Sequence, residues 1–533
     1  MTVPYTATAA ADAPTASLVQ SVDWLAIMPV VIPAAVALVV LVADLFAAEH
    51  RKPLLGWASV AGLAAATASL LPLRAGDRAT FCLTADPAAC SYTADPFTLA
   101  IQFLVLAGAL VTALLSVTAV HDARMPAGEY WFLLLSSAAG AALLPASRDL
   151  ATLIVALEVA SLPAFALVGM RRGDRLSSEA ALKFFLSSVT ATAVSLFGIS
   201  LVYAATGSLH LVQVADRLED VPGQLDTLAM AGVALTLVGF AFKTAAVPFH
   251  FWVPDTYVGA PLPVAGYLSV IGKAVGFTGL ILVTVIAFPA YSDIWGPALA
   301  VLAALTMTLG NAAALRQPAD RPGGAVRLLA WSSVGQAGYL LVPIAAAAYS
   351  HRDQIGSTVA YALMYAAVNL GAFAVAALVG RTKPLQRISD YRGLYAERPA
   401  AALALAFFLL CLAGLPPGII GLFAKVAVFG SAVDAGLGWL AVVMAVNVVI
   451  ALYYYLRWTA VLFRAAEPAP AAGAGAGTAP RAAEGGAGGG AEVRAGTPWP
   501  VAVAIAATAA VSVVLSGDPQ LVLRFAAGGL FPL

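Results

Sequence analysis

Runs of about 18 or more mostly apolar residues recur along the whole chain, each long enough to cross the ~30 Å hydrocarbon layer of a bilayer as a helix. Fourteen such runs lie at about 25–46, 54–73, 97–119, 130–146, 150–169, 180–206, 227–249, 262–288, 294–315, 325–349, 355–380, 400–431, 437–463 and 498–516. The connections leave no room for a sizeable soluble domain. Charged residues make up 11% of the chain, against about a quarter in a soluble protein. The expectation is one all-α polytopic membrane unit, surrounded by lipid and without a nucleic-acid partner.

The net charge of zero hides an asymmetry. With loops assigned alternately to two sides, 17 Lys and Arg fall on the side holding 47–53, 120–129, 170–179, 316–327, 381–399 and 464–497. The opposite side, with both termini, has 6. The positive-inside rule therefore puts both termini on the outer side of the cell membrane. The first residues lack the positive charge that opens a cleaved signal peptide. Of the 3 cysteines, Cys82 and Cys90 share an outer loop and are a possible disulfide, while Cys411 lies within a run. No CxxC series, paired intramembrane histidines or post-strand GxGxxG occurs, so haem, iron–sulfur and nucleotide sites are unsupported and electron chemistry belongs to another chain.

Two spans read as broken. Pro248 ends 227–249, and Pro416, Pro417 and Gly418 interrupt 400–431. Irregular backbone at membrane depth persists only where protein or a wet cavity satisfies it, and broken helices in both halves point to a transport path built from repeats. The Ala/Gly/Pro-rich stretch 464–497 reads as a flexible linker on the basic side.

The lysines are the most informative residues. Of 6, only Lys52 and Lys383 lie in loops; Lys183, Lys243, Lys273 and Lys425 lie in spans. Arginine is reversed, with 21 of 22 in loops and only Arg457, an anchor near a span end, inside. Arginine cannot release its proton in a protein, whereas a buried lysine can. Lysine at these depths therefore points to proton handling. Lys273 is nearest mid-span, where snorkelling to the surface is hardest; for Lys243, Lys425 and especially Lys183, near a boundary, snorkelling competes. Glu158 is the one carboxylate near mid-membrane and needs a cation, for which Lys243 is the candidate. At an effective dielectric near 20, such a pair attracts by about 4 kcal/mol at 4 Å and about 2 at 8 Å. Moving one charge through 100 mV costs about 2.3 kcal/mol, so small helix movements suffice to load and unload a proton. His250, beyond Pro248, is a candidate relay to the basic side, or equally a structural hydrogen-bonding group.

Residues 239–277, "GFAFKTAAVPFHFWVPDTYVGAPLPVAGYLSVIGKAVGF", resemble the core signature of the antiporter-like membrane subunits of respiratory complex I, the proton-pumping NADH–quinone oxidoreductase. "ALEVASLPAFALVG", "LLAWSSVGQAGYLL", "YALMYAAVNLGAFAV" and "ISDYRGLYAERPAAALALAFFLLCLAGLPPGIIGLFAKVAVF" resemble the N type rather than its L and M relatives. The likeness spans roughly 25–463. It implies about fourteen transmembrane helices with two inverted five-helix repeats. The implied division is an N-terminal three-helix segment (1–129), the first repeat (130–288), the second (289–463), the linker (464–497) and a final helix with its tail (498–533). It also implies a hydrated axis in which Glu158 and Lys243 form a switch, Lys273 a central relay and Lys425 a terminal lysine. Lys183 and His250 are secondary candidates.

The implied partners are neighbouring membrane subunits, M-type and K-type among them. Quinone and NADH are used by the whole complex, and this chain holds neither cofactor nor metal. Two departures stand out: Gln336 replaces a histidine usual in L and M relatives, and Ala424 replaces a glycine before Lys425. The leading reading is a proton-translocating, non-redox subunit. The alternatives are an Mrp-type cation/proton antiporter, a membrane subunit of a complex with another electron donor, or a structural scaffold.

Overall fold

The structure is a computed structural model that describes residues 22–83, 86, 89–350, 354–465, 496–527 and 530; nearly all of the 464–497 linker lies outside them. Every apolar run is helical. Among the described residues, 13 helices are long and apolar enough to cross a membrane. The remaining run, 400–431, is divided into Pro399–Ala413 and Ile419–Asp434.

Both interruptions fall where the sequence breaks its own helical rules. Gly223–Thr244 stops at Ala245, a non-glycine residue at φ +67, and the chain turns before the short helix Val253–Gly259. The turn is fixed in place by Thr306, whose Oγ1 accepts from the Val247 amide (2.9 Å). In the second half, Gly414 adopts φ +84 and closes Pro399–Ala413 with bonds to the Leu410 and Cys411 carbonyls. This left-handed closure is what a glycine just past a helix end provides. The two prolines that follow cannot continue the helix.

Burial separates centre from rim. The helical segments Leu262–Ala287, Gly324–Ala346 and Ile355–Gly380 bury 94%, 94% and 83% of their most apolar stretch. Trp24–Phe46, Gly438–Leu462 and Trp499–Gly517 bury only 33%. The rim helices leave Leu38, Val39, Val446 and Val449 exposed, as a lipid-facing surface requires. The central segment Leu262–Ala287 contains two π-helical turns, Leu268–Gly272 and Leu282–Ala287, and Lys273 follows the first directly. Such turns re-aim side chains and occur often at functional sites.

The connections group into two faces as the charge count expects. On the basic face Arg381 pairs with Asp122 (2.7 Å) and Arg327 with Asp255 (3.0 Å). On the other, a hairpin of Arg78–Cys82 and Cys90–Ala94 is cross-linked by the Cys82–Cys90 disulfide. Arg78 of that hairpin pairs with Asp23 (2.8 Å), which also caps Trp24–Phe46. Arg148 forms a buried pair with Asp95 nearby.

Candidate functional site

Three of the four intramembrane lysines are interior. Lys243, Lys273 and Lys425 are 5%, 1% and 5% exposed, with no carboxylate within salt-bridge distance among the described residues. Burying an ammonium without an ionic partner is costly, so each must be held by other means.

Lys243 ends the helix Gly223–Thr244. Its Nζ donates to Ser161 Oγ and Ser188 Oγ, both at 2.6 Å. The rings of Phe165, Phe184 and Phe242 surround it at 5.2, 5.8 and 5.9 Å, faces that attract a cation. Glu158 lies one turn from Ser161 on Leu150–Val168 and accepts from Thr192 Oγ1 (2.7 Å). Thr192 lies one turn from Ser188 on Arg175–Thr206. Two helices thus present two parallel steps, Glu158 with Thr192 and then Ser161 with Ser188. Lys243 joins the second step, so hydroxyls stand between it and the carboxylate. Glu158 is half-buried, on a face where Val155, Val159 and Leu162 are exposed.

Beyond Lys243, a cavity of about 20 Å³ is lined by Ser137, Ser161, Lys243, Tyr267 and Ile271, room for about one water. Tyr267 shares a hydrogen with Ser137 (2.9 Å). Gly276 lets the Lys273 helix press against the end of the Lys243 helix: a Cβ there would sit 2.3 Å from the Thr244 nitrogen. Lys273 Nζ donates to Tyr257 Oη (3.2 Å), and one turn earlier Ser269 receives Asn369 Nδ2 (2.6 Å).

A tyrosine–amide group continues from there. Tyr365 donates to Ser333 Oγ (3.1 Å) and to the Ser269 carbonyl (3.3 Å). Tyr361, one turn away, donates to Gln336 Oε1, and Gln336 Nε2 donates to Tyr455 Oη (3.2 Å). A second cavity of about 20 Å³ is lined by Gln336, Tyr361, Tyr365 and Lys425. Lys425 Nζ donates to the carbonyls of Leu412 (2.9 Å) and Ala413 (2.8 Å), the last turn of the half-helix before the break. Those carbonyls have no partner within their helix, and the end of a helix attracts positive charge. Together these groups form an interrupted succession of amine, hydroxyl and amide side chains through the interior.

The sequence profile of the NADH:quinone oxidoreductase/Mrp antiporter transmembrane family matches residues 147–451, which hold Glu158, Lys243, Lys273 and Lys425, while Ser137 and Tyr455 lie outside the match. The chain is 72% identical over 523 residues to NADH-quinone oxidoreductase subunit N 2 of Streptomyces griseus, covering 98% of this chain and 96% of that one. The chain belongs to this family, on its NADH-quinone oxidoreductase subunit N branch. It is similar to a chain of respiratory complex I from Thermus thermophilus at 32% identity and a TM-score of 0.72, covering 94% of this chain and all of that one. A chain of the Mrp complex from Dietzia sp. matches with a TM-score of 0.78 at 21% identity, covering 95% and 96%, a likeness of fold alone. The protein is thus a multi-pass bacterial membrane subunit of an enzyme complex.

Two expected residues of this subunit N relative stand apart from this succession. Lys183 is half exposed and reaches the basic face, where it meets Glu179 (2.7 Å) and Asp255 (3.0 Å). His250 packs beside Trp331 with ring centres 5.6 Å apart. Sequence reasoning missed Ser161, Ser188, Thr192, Tyr257, Tyr361 and Tyr365. Helical spacing links Glu158 with Ser161, Ser188 with Thr192, and Tyr361 with Tyr365. Hydroxyls are common in apolar spans, however, so spacing alone did not distinguish them.

Proposed function

We propose that this chain is a proton-translocating, non-redox subunit of an NADH–quinone oxidoreductase, moving protons along Glu158, Lys243, Lys273 and Lys425. The supporting observation is the burial of three lysines, each held by polar groups rather than by a carboxylate. Hydroxyl and amide groups that both donate and accept hydrogen bonds adjoin them, and a cavity sized for a water lies beside Lys243 and another beside Lys425. A scaffold would need polar cross-links but no such succession. It would be served equally well by arginine, yet all three of these buried positions carry lysine.

In this reading Glu158 controls Lys243 electrostatically rather than by contact. A carboxylate and an ammonium about 8 Å apart attract by about 2 kcal/mol, and about twice that at 4 Å. Moving one helix by a few ångströms changes the affinity of Lys243 for its proton by an energy comparable to the membrane potential. The exposed apolar face around Glu158 suits coverage by a neighbouring membrane subunit, of K type or M type. The carboxylate would then not face lipid. Gln336 occupies the position of a histidine in L and M relatives. With Tyr361 and Tyr455 it supplies hydrogen-bonding continuity without itself accepting a proton. We further propose the two-repeat division at 130–288 and 289–463, both termini on the outer side of the bacterial plasma membrane, and quinone and NADH bound by other subunits.

The test uses the assembled complex in proteoliposomes carrying Lys273→Arg. Arginine keeps the charge but cannot release its proton. Proton pumping per complex should fall about 100-fold, the scale of a lost general acid–base. Pumping retained at the parent rate would leave only a scaffold role.

A further inference from the structure

Lys183 and Asp255 take no part in the succession of groups just described, yet they sit where three of the elements that carry it meet. Asp255, in the short helix Val253–Gly259, accepts Lys183 Nζ on Oδ2 (3.0 Å) and Arg327 Nη1 on Oδ1 (3.0 Å). Each partner stands on an element that holds part of the interior succession. Lys183 is on Arg175–Thr206, where Ser188, five residues on, binds Lys243. Arg327 is on Gly324–Ala346, where Ser333, six residues on, binds Tyr365. Asp255 itself lies two residues before Tyr257, which binds Lys273.

The short helix is tightly seated on both neighbours. A Cβ on Gly259 would meet Ala180 at 2.4 Å, and one on Gly323 would meet Val258 at 2.9 Å. At the basic face this packing, the stack of Trp252 on Phe184 (4.4 Å) and the ionic cluster together hold the element carrying Tyr257 against its neighbours.

We propose that Asp255 is a positioning residue whose two ion pairs tie the Lys243 and Lys273 stations to the second half of the chain. Lys183 and Arg327 are its two anchors. The inference rests on the relay reading above, since it assigns Asp255 a part in keeping proton-transfer distances short. Single ion pairs at a surface contribute little to stability. Here their role is geometric: displacement of a group by about 1 Å can slow a reaction about 100-fold.

Burial raises the affinity of the Asp255 carboxyl for its proton, but Lys183 and Arg327 outweigh it and hold the group below the usual carboxylate range. A lowered value means that the clasp is intact above the ordinary carboxylate range. It opens only as pH falls through the depressed value, so it stays closed at neutral pH.

The test is quinone reductase turnover per assembled complex, with its solvent hydrogen/deuterium isotope effect, for Asp255→Asn, Asp255→Glu and Arg327→Gln. Asp255→Asn should lower turnover about fivefold and raise the isotope effect, because transfer between stations becomes slower. Arg327→Gln should give the same pattern in smaller degree, and carries the test if Asp255→Asn fails to assemble. Asp255→Glu should restore both readouts. An unchanged isotope effect, with activity following only the amount of complex, would overturn the proposal and leave a role in assembly. Lys273→Met measured alongside separates the two claims. If Lys273→Met stops pumping while the Asp255 variants turn over like the parent, the clasp fails and the relay stands; pumping by Lys273→Met would remove both.

Discussion

Lys243 and Lys425 are both buried, and both stand beside an interrupted helix, yet their ammonium groups are held by different chemistry. Lys243 rests on the hydroxyls of Ser161 and Ser188, within a turn of Glu158. Lys425 rests on the main-chain carbonyls of Leu412 and Ala413, with no carboxylate in its surroundings among the described residues. A hydroxyl can accept from an ammonium and can also turn to donate to a neutral amine. A carbonyl only accepts; it can take a hydrogen from either form of the amine, but it holds the charged ammonium more strongly. In the proposed relay, the hydroxyls at Lys243 suit both protonation states, with Glu158 as the nearby charge that would bias them. The carbonyls at Lys425 suit a cation at the end of a half-helix.

Four experiments on the assembled complex test this contrast. The largest effect is expected from Lys243→Ala, which should reduce pumping and reductase turnover per complex about 100-fold. Val233→Ala, an apolar change buried on the same helix, should leave both close to the parent. Equal losses in the two variants would mean impaired assembly rather than a lost proton carrier.

Glu158→Gln should cost about 30-fold in turnover, the kinetic equivalent of losing a charge interaction of about 2 kcal/mol. The informative measurement is the double-mutant cycle. Added to Lys243→Ala, Glu158→Gln should cost nothing more, whereas added to Lys425→Ala the two losses should multiply. Multiplication in both cycles would show that Glu158 does not act through Lys243.

At the other end no side-chain substitution can delete the carbonyls, so the cradle is probed through the backbone. Gly414→Ala places a Cβ at φ +84 and 3.4 Å from Lys425 Nζ. It should destabilise this subunit by about 1–2 kcal/mol, seen as a lower unfolding temperature of the complex. Parent-like stability would show that the break does not depend on this left-handed residue. The smallest effects belong to Ser161→Ala and Ser188→Ala singly, about threefold each in turnover. The adjoining cavity has room for a water to replace one lost bond. A much larger loss from either serine alone would mean that the two hydroxyls are not interchangeable.

Much of this arrangement was legible in the chain itself. Apolar run length gave the helices, because a bilayer satisfies no backbone groups and leaves little choice of structure. Pro248, and Pro416 with Pro417, marked both breaks because proline cannot continue a helix. The contrast between interior lysine and loop arginine singled out Lys243, Lys273 and Lys425. It also included Lys183, whose position near a span boundary left snorkelling open, and the structure takes its side chain to the basic face. Span position alone cannot tell which way a long flexible side chain will reach.

Hydropathy along the chain settles the solvent: lipid outside, helices across it, and a few dissociable groups whose burial has to be compensated. Only the tertiary structure decided how that compensation is made, through hydroxyls at Lys243, a tyrosine at Lys273 and carbonyls at Lys425. The physical reason is that hydropathy is a property of each residue along the chain. A hydrogen bond such as that between Lys243 and Ser161 joins residues 82 positions apart, and exists only once their helices have packed.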